Sequence, residues 1–167
     1  TYDTINIVGV PYSKLLTLEI THFPNQHGTA KMTGLIPYAD AMEFTQRVDE
    51  TFAIDITTSA EGQPSKLFYG LVTNLVHERQ NDYAFVSIEA KTTSVSLDVA
   101  PANKTYQRTT MTYGQVLNKM IGGRGVITVT ATDKQTGAFI IQCNETDWQF
   151  TCLLYTSPSP RDVEESR

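Results

Sequence analysis

Apolar and polar positions alternate along KLLTLEITHF (14–23), with Leu16, Leu18 and Ile20 on one face and Thr17, Glu19 and Thr21 on the other. A period of two predicts a half-buried antiparallel strand. Pro24, Asn25 and Gly28 supply turn chemistry, and GTAKMTGLI gives a second strand, so the pair reads as a long hairpin. The period then changes. In ADAMEFTQRV (39–48), Ala41, Phe44, Thr45 and Val48 recur at helical spacing and predict a short helix. FAIDITT alternates again, and EGQP at 61–64 reads as a turn.

SKLFYGLVTNLVHER is the longest strand candidate, and both of its faces are apolar near the centre. Leu67, Tyr69, Leu71 and Leu75 fall on one, and Phe68, Val72 and Val76 on the other. Burial on both sides predicts a central strand of a closed or sandwiched sheet. Gly70 inside it predicts a bulge or a close approach of backbones. After the polar turn ERQND, YAFVSIEAKTT returns as a hairpin partner. Residues 92–111 are polar and irregular, and read as a connection between subdomains.

Thr112–Gln115 fits the T-x-x-Q capping box, in which the hydroxyl and the amide of the pair serve each other's backbone N–H. The helix that it opens, YGQVLNKMI, turns Val116, Leu117, Met120 and Ile121 inward, and GGRG (122–125) stops it. GVITVTAT and GAFIIQC are two further strands joined by DKQTG, and a last helix begins around Asn144.

Few residues suggest chemistry. GGRG matches no phosphate-loop pattern, and glycine after a helix is the ordinary C-terminal stop. His22 and His27 flank a turn, but a zinc site needs further ligands at recognisable spacing, and only Asp40 or Glu43 lies near. His77 stands alone at a strand end. Asp55/Glu61 and Asp49/Glu50 read as solvated charges, and no nucleophile motif is present. No catalytic residue, metal or cofactor is therefore expected.

Composition adds limits. The 167 residues, 40% hydrophobic and 19% charged, suffice for one domain or two small ones. No apolar run approaches the ~18 residues of a membrane span, so no membrane insertion is expected. A net charge of −5 with scattered Lys and Arg lacks the clustered cations of a specific nucleic-acid interface. Cys143 and Cys152 read as small buried hydrophobes rather than as a disulfide framework.

The order of KLFYGLVTNLVHE, YAFVSIEAKTTSVSLD, TYGQVLNKMI and AFIIQCNETDWQF resembles the contractile-injection hub family, which includes the phage late-control gene D protein, VgrG and related baseplate hubs. Phe68, Gly70 and Val72 match its F-x-G-x-V phrase. Gln142, Asn144, Glu145, Thr146, Asp147, Trp148 and Phe150 match its Q-Y-N-E-T-D-W-x-F phrase, with Cys143 at a position expected to be buried and usually aromatic. In this phrase Asn144 or Thr146 can cap the helix, Glu145 and Asp147 suit its positive end, and Trp148 is expected to anchor it.

The resemblance covers about residues 14–151. It implies a mainly β fold with short helices: an antiparallel, β-barrel-like hub domain at 1–98, followed by the start of a second small α+β subdomain at 99–151. It also implies a structural protein without enzymatic activity, in a virion tail or injection-system baseplate assembled in the bacterial cytoplasm. A homotrimer would join a tail tube protein to a spike protein. The alternative is a tail-tip protein whose remaining C-terminal part is a cell-wall hydrolase.

Downstream of Thr151 the family pattern is lost. CLLYTSPSPRD (152–162) is similar to the translation of a transposase adapter used in sequencing-library preparation, which implies that 152–167 are not native. These residues offer little apolar surface to offset the entropy of ordering, so 156–167 are expected to stay unpacked, although CLLY can extend the helix.

Overall fold

The structure is a computed structural model that describes residues 4–60, 63–124 and 133–156. The chain divides into two compact units, Thr1–Thr93 and Ser94–Arg167.

The first unit is one antiparallel sheet of six strands in the order β1-β4-β5-β6-β3-β2. The strands are β1 (Thr4–Val8), β2 (Lys14–Thr21), β3 (Thr29–Pro37), β4 (Ala53–Ala60), β5 (Gln63–Gln80) and β6 (Tyr83–Thr92), with α1 (Tyr38–Arg47) between β3 and β4. The sheet stays open, because β1 and β2 lie at opposite edges, and it curls into a half-barrel rather than closing. Alternation explains its core. Ala30, Met32 and Ile36 of β3, Ile54 and Ile56 of β4, and Ala84, Val86, Ile88 and Ala90 of β6 are buried on one face. Ala41 and Phe44 of α1 cover them, and Phe44 meets Phe52 edge to face at 5.6 Å.

Curling follows from three bulges. Leu16, Leu67 and Thr73 are each skipped by the neighbouring strand's register. An extra residue bends its strand and tightens the local twist. Each bulge also switches the outward and inward phases, which corrects three expectations from strict alternation. Leu16 turns outward and is 43% exposed, while Leu15, Leu18 and Ile20 pack on the core. Val76 and Tyr69 are exposed, while Phe68, Val72 and Leu75 share the core face. Hence β5 is not buried on both faces among the described residues.

The strand β5 also runs further than its turn signals indicate. Gln63 and Pro64 belong to it, as do Glu78, Arg79 and Gln80, and only Asn81 and Asp82 make the turn. Asn81 takes φ 56°, as short hairpin loops require. The expected turn residues Glu61 and Gly62 lie outside the described residues.

A strap after β1 completes this unit. Gly9 (φ 105°) turns the chain inward, burying Val10, and Tyr12 donates its hydroxyl to the Val86 carbonyl at 3.1 Å. Burial pushes the Tyr12 hydroxyl's pKa well above its ordinary value. The ring lies where a Cβ on Gly34 would sit, 2.4 Å from its nearest atom.

The second unit pairs β7 (Ala102–Tyr106) with β8 (Ile140–Glu145) and carries α2 (Tyr113–Ile121) and α3 (Asp147–Thr156). A short 3-10 turn at Thr93–Leu97 precedes them. The segment read as irregular thus contains β7, whose ANKTY sequence is too polar to announce a strand. Val116, Leu117, Met120 and Ile121 of α2 are buried, and Tyr106 stacks on Phe150 at 6.2 Å. The expected strand at 125–132 and the tail at 157–167 lie outside the described residues.

Candidate functional site

The two phrases singled out in the sequence occupy different units and do different mechanical jobs. Phe68, Gly70 and Val72 sit where β5 changes partners. Gly70 pairs with Ile54 of β4 on one side and with Thr92 of β6 on the other. Phe68 is 2% exposed, and Val72 packs on the same core while its N–H donates to the Phe52 carbonyl at 2.9 Å. A Cβ on Gly70 would stand 2.2 Å from the Lys91 carbonyl oxygen, so the crossing of backbones requires glycine.

The second phrase forms a knot around Asp147. Asn144 takes φ 53° and, through its N–H, donates to Asn103 Oδ1 at 2.9 Å, which ends β8 and turns the chain. Thr146 then caps α3: its Oγ1 accepts from the Gln149 N–H at 3.1 Å, and Gln149 Oε1 accepts from the Thr146 N–H at 3.1 Å. This is a second T-x-x-Q capping box, with the same spacing as the one that Thr112 and Gln115 make at α2. The Thr146 hydroxyl also donates to Asp98.

The Asp147 side chain is only 7% exposed, and it gathers three donors. Lys104 Nζ of β7 reaches Oδ1 at 2.7 Å, Gln142 Nε2 of β8 reaches the same oxygen at 3.0 Å, and Arg124 reaches Oδ2. Burial alone would raise its pKa, but donation from Lys104, Arg124 and Gln142 outweighs it and holds the carboxyl at about 2. Arg124 is the arginine of GGRG. It donates as well to the Ile121 and Met120 carbonyls at 3.1 and 3.0 Å, closing the C-terminus of α2, where Gly122 takes φ 56°. The loop's cation therefore serves a helix end and a carboxylate. Gln142 is fully buried, and its Oε1 meets no partner among the described residues.

The other residues of the phrase fall around this knot. Glu145 closes β8, and its carbonyl accepts from Gln142 Nε2 at 2.9 Å. Phe150 lies in the apolar cluster with Tyr106, whereas Trp148 is half-buried. Cys143 is exposed, which corrects the expectation of a buried side chain, because it falls on the outward face of β8. Cys152 is half-buried, and burial pushes its thiol pKa up, aided by the Asp98 charge. CLLY extends α3 to Thr156, with Leu154 packed on the cluster and Leu153 47% exposed.

The remaining candidates stay apart. Asp55 pairs with Lys66 at 3.0 Å, Asp49 accepts from Thr51 within its own turn, and Glu43 lies 3.9 Å from Arg47. His22 lies beside the Phe68 ring. No group of three or more His, Cys, Asp and Glu side chains able to hold a metal occurs among the described residues. Two open recesses of ≈ 400 and ≈ 550 Å³ are present, the first crossing Glu19, Lys31 and Glu89, the second beside Arg108 and Lys119. Neither is lined by histidine or cysteine.

No family model and no curated protein matches the chain. Solved structures do share its fold. The E. coli c3393 protein, described as a component of the type VI secretion system with structural similarity to the T4 bacteriophage tail proteins gp27 and gp5, superposes with a TM-score of 0.62 at 16% identity over 92% of this chain. The 43 kDa tail protein of prophage MuSo2 from Shewanella oneidensis gives 0.63 at 14% identity over 90%. A tail protein from Neisseria meningitidis MC58 gives 0.58 at 14% identity over 90%. The chain spans 42, 46 and 44% of the lengths of these three structures. It therefore has the β-rich fold found in phage-tail and secretion-system components.

Proposed function

We propose that the chain is a structural hub of a phage tail baseplate or a related contractile injection system, which trimerises to join the tail tube to the spike. One observation carries the reading: at least 90% of the chain follows the fold of phage-tail and secretion-system proteins. The placement of the conserved-looking phrases supports it, since each braces the fold and presents no reactive group to a cavity. Gly70 lets two strands cross, and Asp147 ties β7, β8, α2 and α3 together. The function is mechanical, carried by rigidity and by surfaces that match partner subunits.

The trimer is testable by light scattering on the uninterrupted gene product mixed with the tail tube and spike proteins encoded beside it. Three copies per complex are expected. A product that remains monomeric in that mixture contradicts the hub.

A further inference from the structure

The open sheet leaves two edges, and the sequence treats them differently. Edge strands expose unpaired backbone N–H and C=O groups, and proteins commonly block them with charges, prolines or bulges. β2 carries such blocks: Lys14, Glu19 and the Leu16 bulge. β1 reads TINIV, with no charge, no proline and an unbroken register against β4 from Thr4↔Ser59 to Val8↔Asp55. Among the described residues nothing pairs with its outer side. Ile5 and Val8 are 45% and 56% exposed there.

The composition of β1 also identifies what fits. Laid antiparallel against itself about Asn6, TINIV sets Ile5 against Ile7, Asn6 against Asn6, and Thr4 against Val8. That register keeps all five pairs and puts side chains of equal character on each face, because directly opposed residues share a face. The isoleucines meet on the core side, where Ile7 already packs on the core. Thr4 and Val8, nearly equal in shape, meet on the outer side. A shift by two residues breaks these matches and leaves fewer pairs. With no charge on the strand, two copies of a chain of net charge −5 meet without local repulsion at the edge.

We propose that β1 is a self-complementary docking edge, which pairs two copies of this chain about a two-fold axis through Asn6. A two-fold contact uses one patch twice and closes on itself. Five residues form a small contact, below the ~1,200 Å² of a standard stable interface. The pairing is accordingly weak and concentration-dependent in the free chain. It goes beyond the tail assembly proposed above and needs neither tube nor spike.

Cross-linking reads the register directly. Asn6→Cys is made on a Cys143→Ser background, since Cys143 is exposed, and Cys143→Ser alone serves as the blank. Opposed residues of an antiparallel pair lie ~4.5–5.5 Å apart at Cα, within disulfide range. Mild oxidation of the full chain should yield an Asn6→Cys dimer, and adding Val8→Lys should cut its yield at least tenfold. Thr4→Cys, which the register sets opposite Val8, should yield none. Circular dichroism confirms that each variant keeps its sheet. An Asn6→Cys chain that stays monomeric, or a Thr4→Cys chain that cross-links equally well, overturns the proposal. So does slow hydrogen exchange at the outer β1 amides that persists on dilution, which would mean that another segment of the same chain covers the edge.

Discussion

Replacing Asp147 with asparagine lowers the stability of the second unit by about 3 kcal/mol, because it leaves Lys104 and Arg124 facing a neutral group in a nearly closed site. The amide keeps the size of the side chain but can satisfy neither cation as a carboxylate does. The single tryptophan, Trp148, lies one residue away on α3, so its emission during urea unfolding reports the change. The same carboxyl produces a pH dependence whose sign is fixed. Its pKa is about 2 when folded against 3.8 otherwise, so its stabilisation is complete above about pH 4. That stabilisation is lost as pH falls toward 2. About 2 kcal/mol should disappear across this window in the natural chain. The Asp147→Asn variant should lack that acid step. An equal step in both proteins would place the acid sensitivity elsewhere.

The second large effect is expected at Gly70. Alanine there puts a Cβ 2.2 Å from the Lys91 carbonyl oxygen and 2.7 Å from the Lys91 carbonyl carbon and the Phe68 ring. Backbone atoms of a strand paired on both sides cannot step aside as a flexible side chain can. Overpacking of this kind costs about 3 kcal/mol, at the upper end of its usual range. Thermal unfolding followed through the β-sheet signal in the far ultraviolet should therefore shift strongly. Gly123, whose Cβ would meet nothing within 4 Å but whose φ is 84°, is the contrast: alanine there carries only the local backbone strain. Similar losses at the two glycines would contradict the close crossing at Gly70.

What could be read in advance follows physical locality. Alternation found β2 to β6, and helical spacing found α1 and α2 together with the Thr112/Gln115 box, because each signal lies within a few residues. Gly70 was legible because a glycine amid large apolar residues has few other uses. The phase of exposure was not legible, since a bulge adds one residue without any mark in the side-chain pattern. Leu16 and Val76 were assigned to the wrong face for that reason. β1 and β7, five residues each, are too short for periodicity to speak. Thr146 and Gln149 repeat a box recognised at α2, so that signal was present and passed over. The ion pairs of Asp147 are a different case. Lys104 and Arg124 lie 43 and 23 residues away, and only the fold brings them to the carboxylate.

The mechanical account makes this chain part of a tail, and its position there can be seen directly. Immunogold electron microscopy would be done on tail particles purified from cells carrying the uninterrupted gene with an epitope tag. The account predicts gold at one end of each tail, where tube and spike meet. Particles without label, or label spread along the tube, would contradict it.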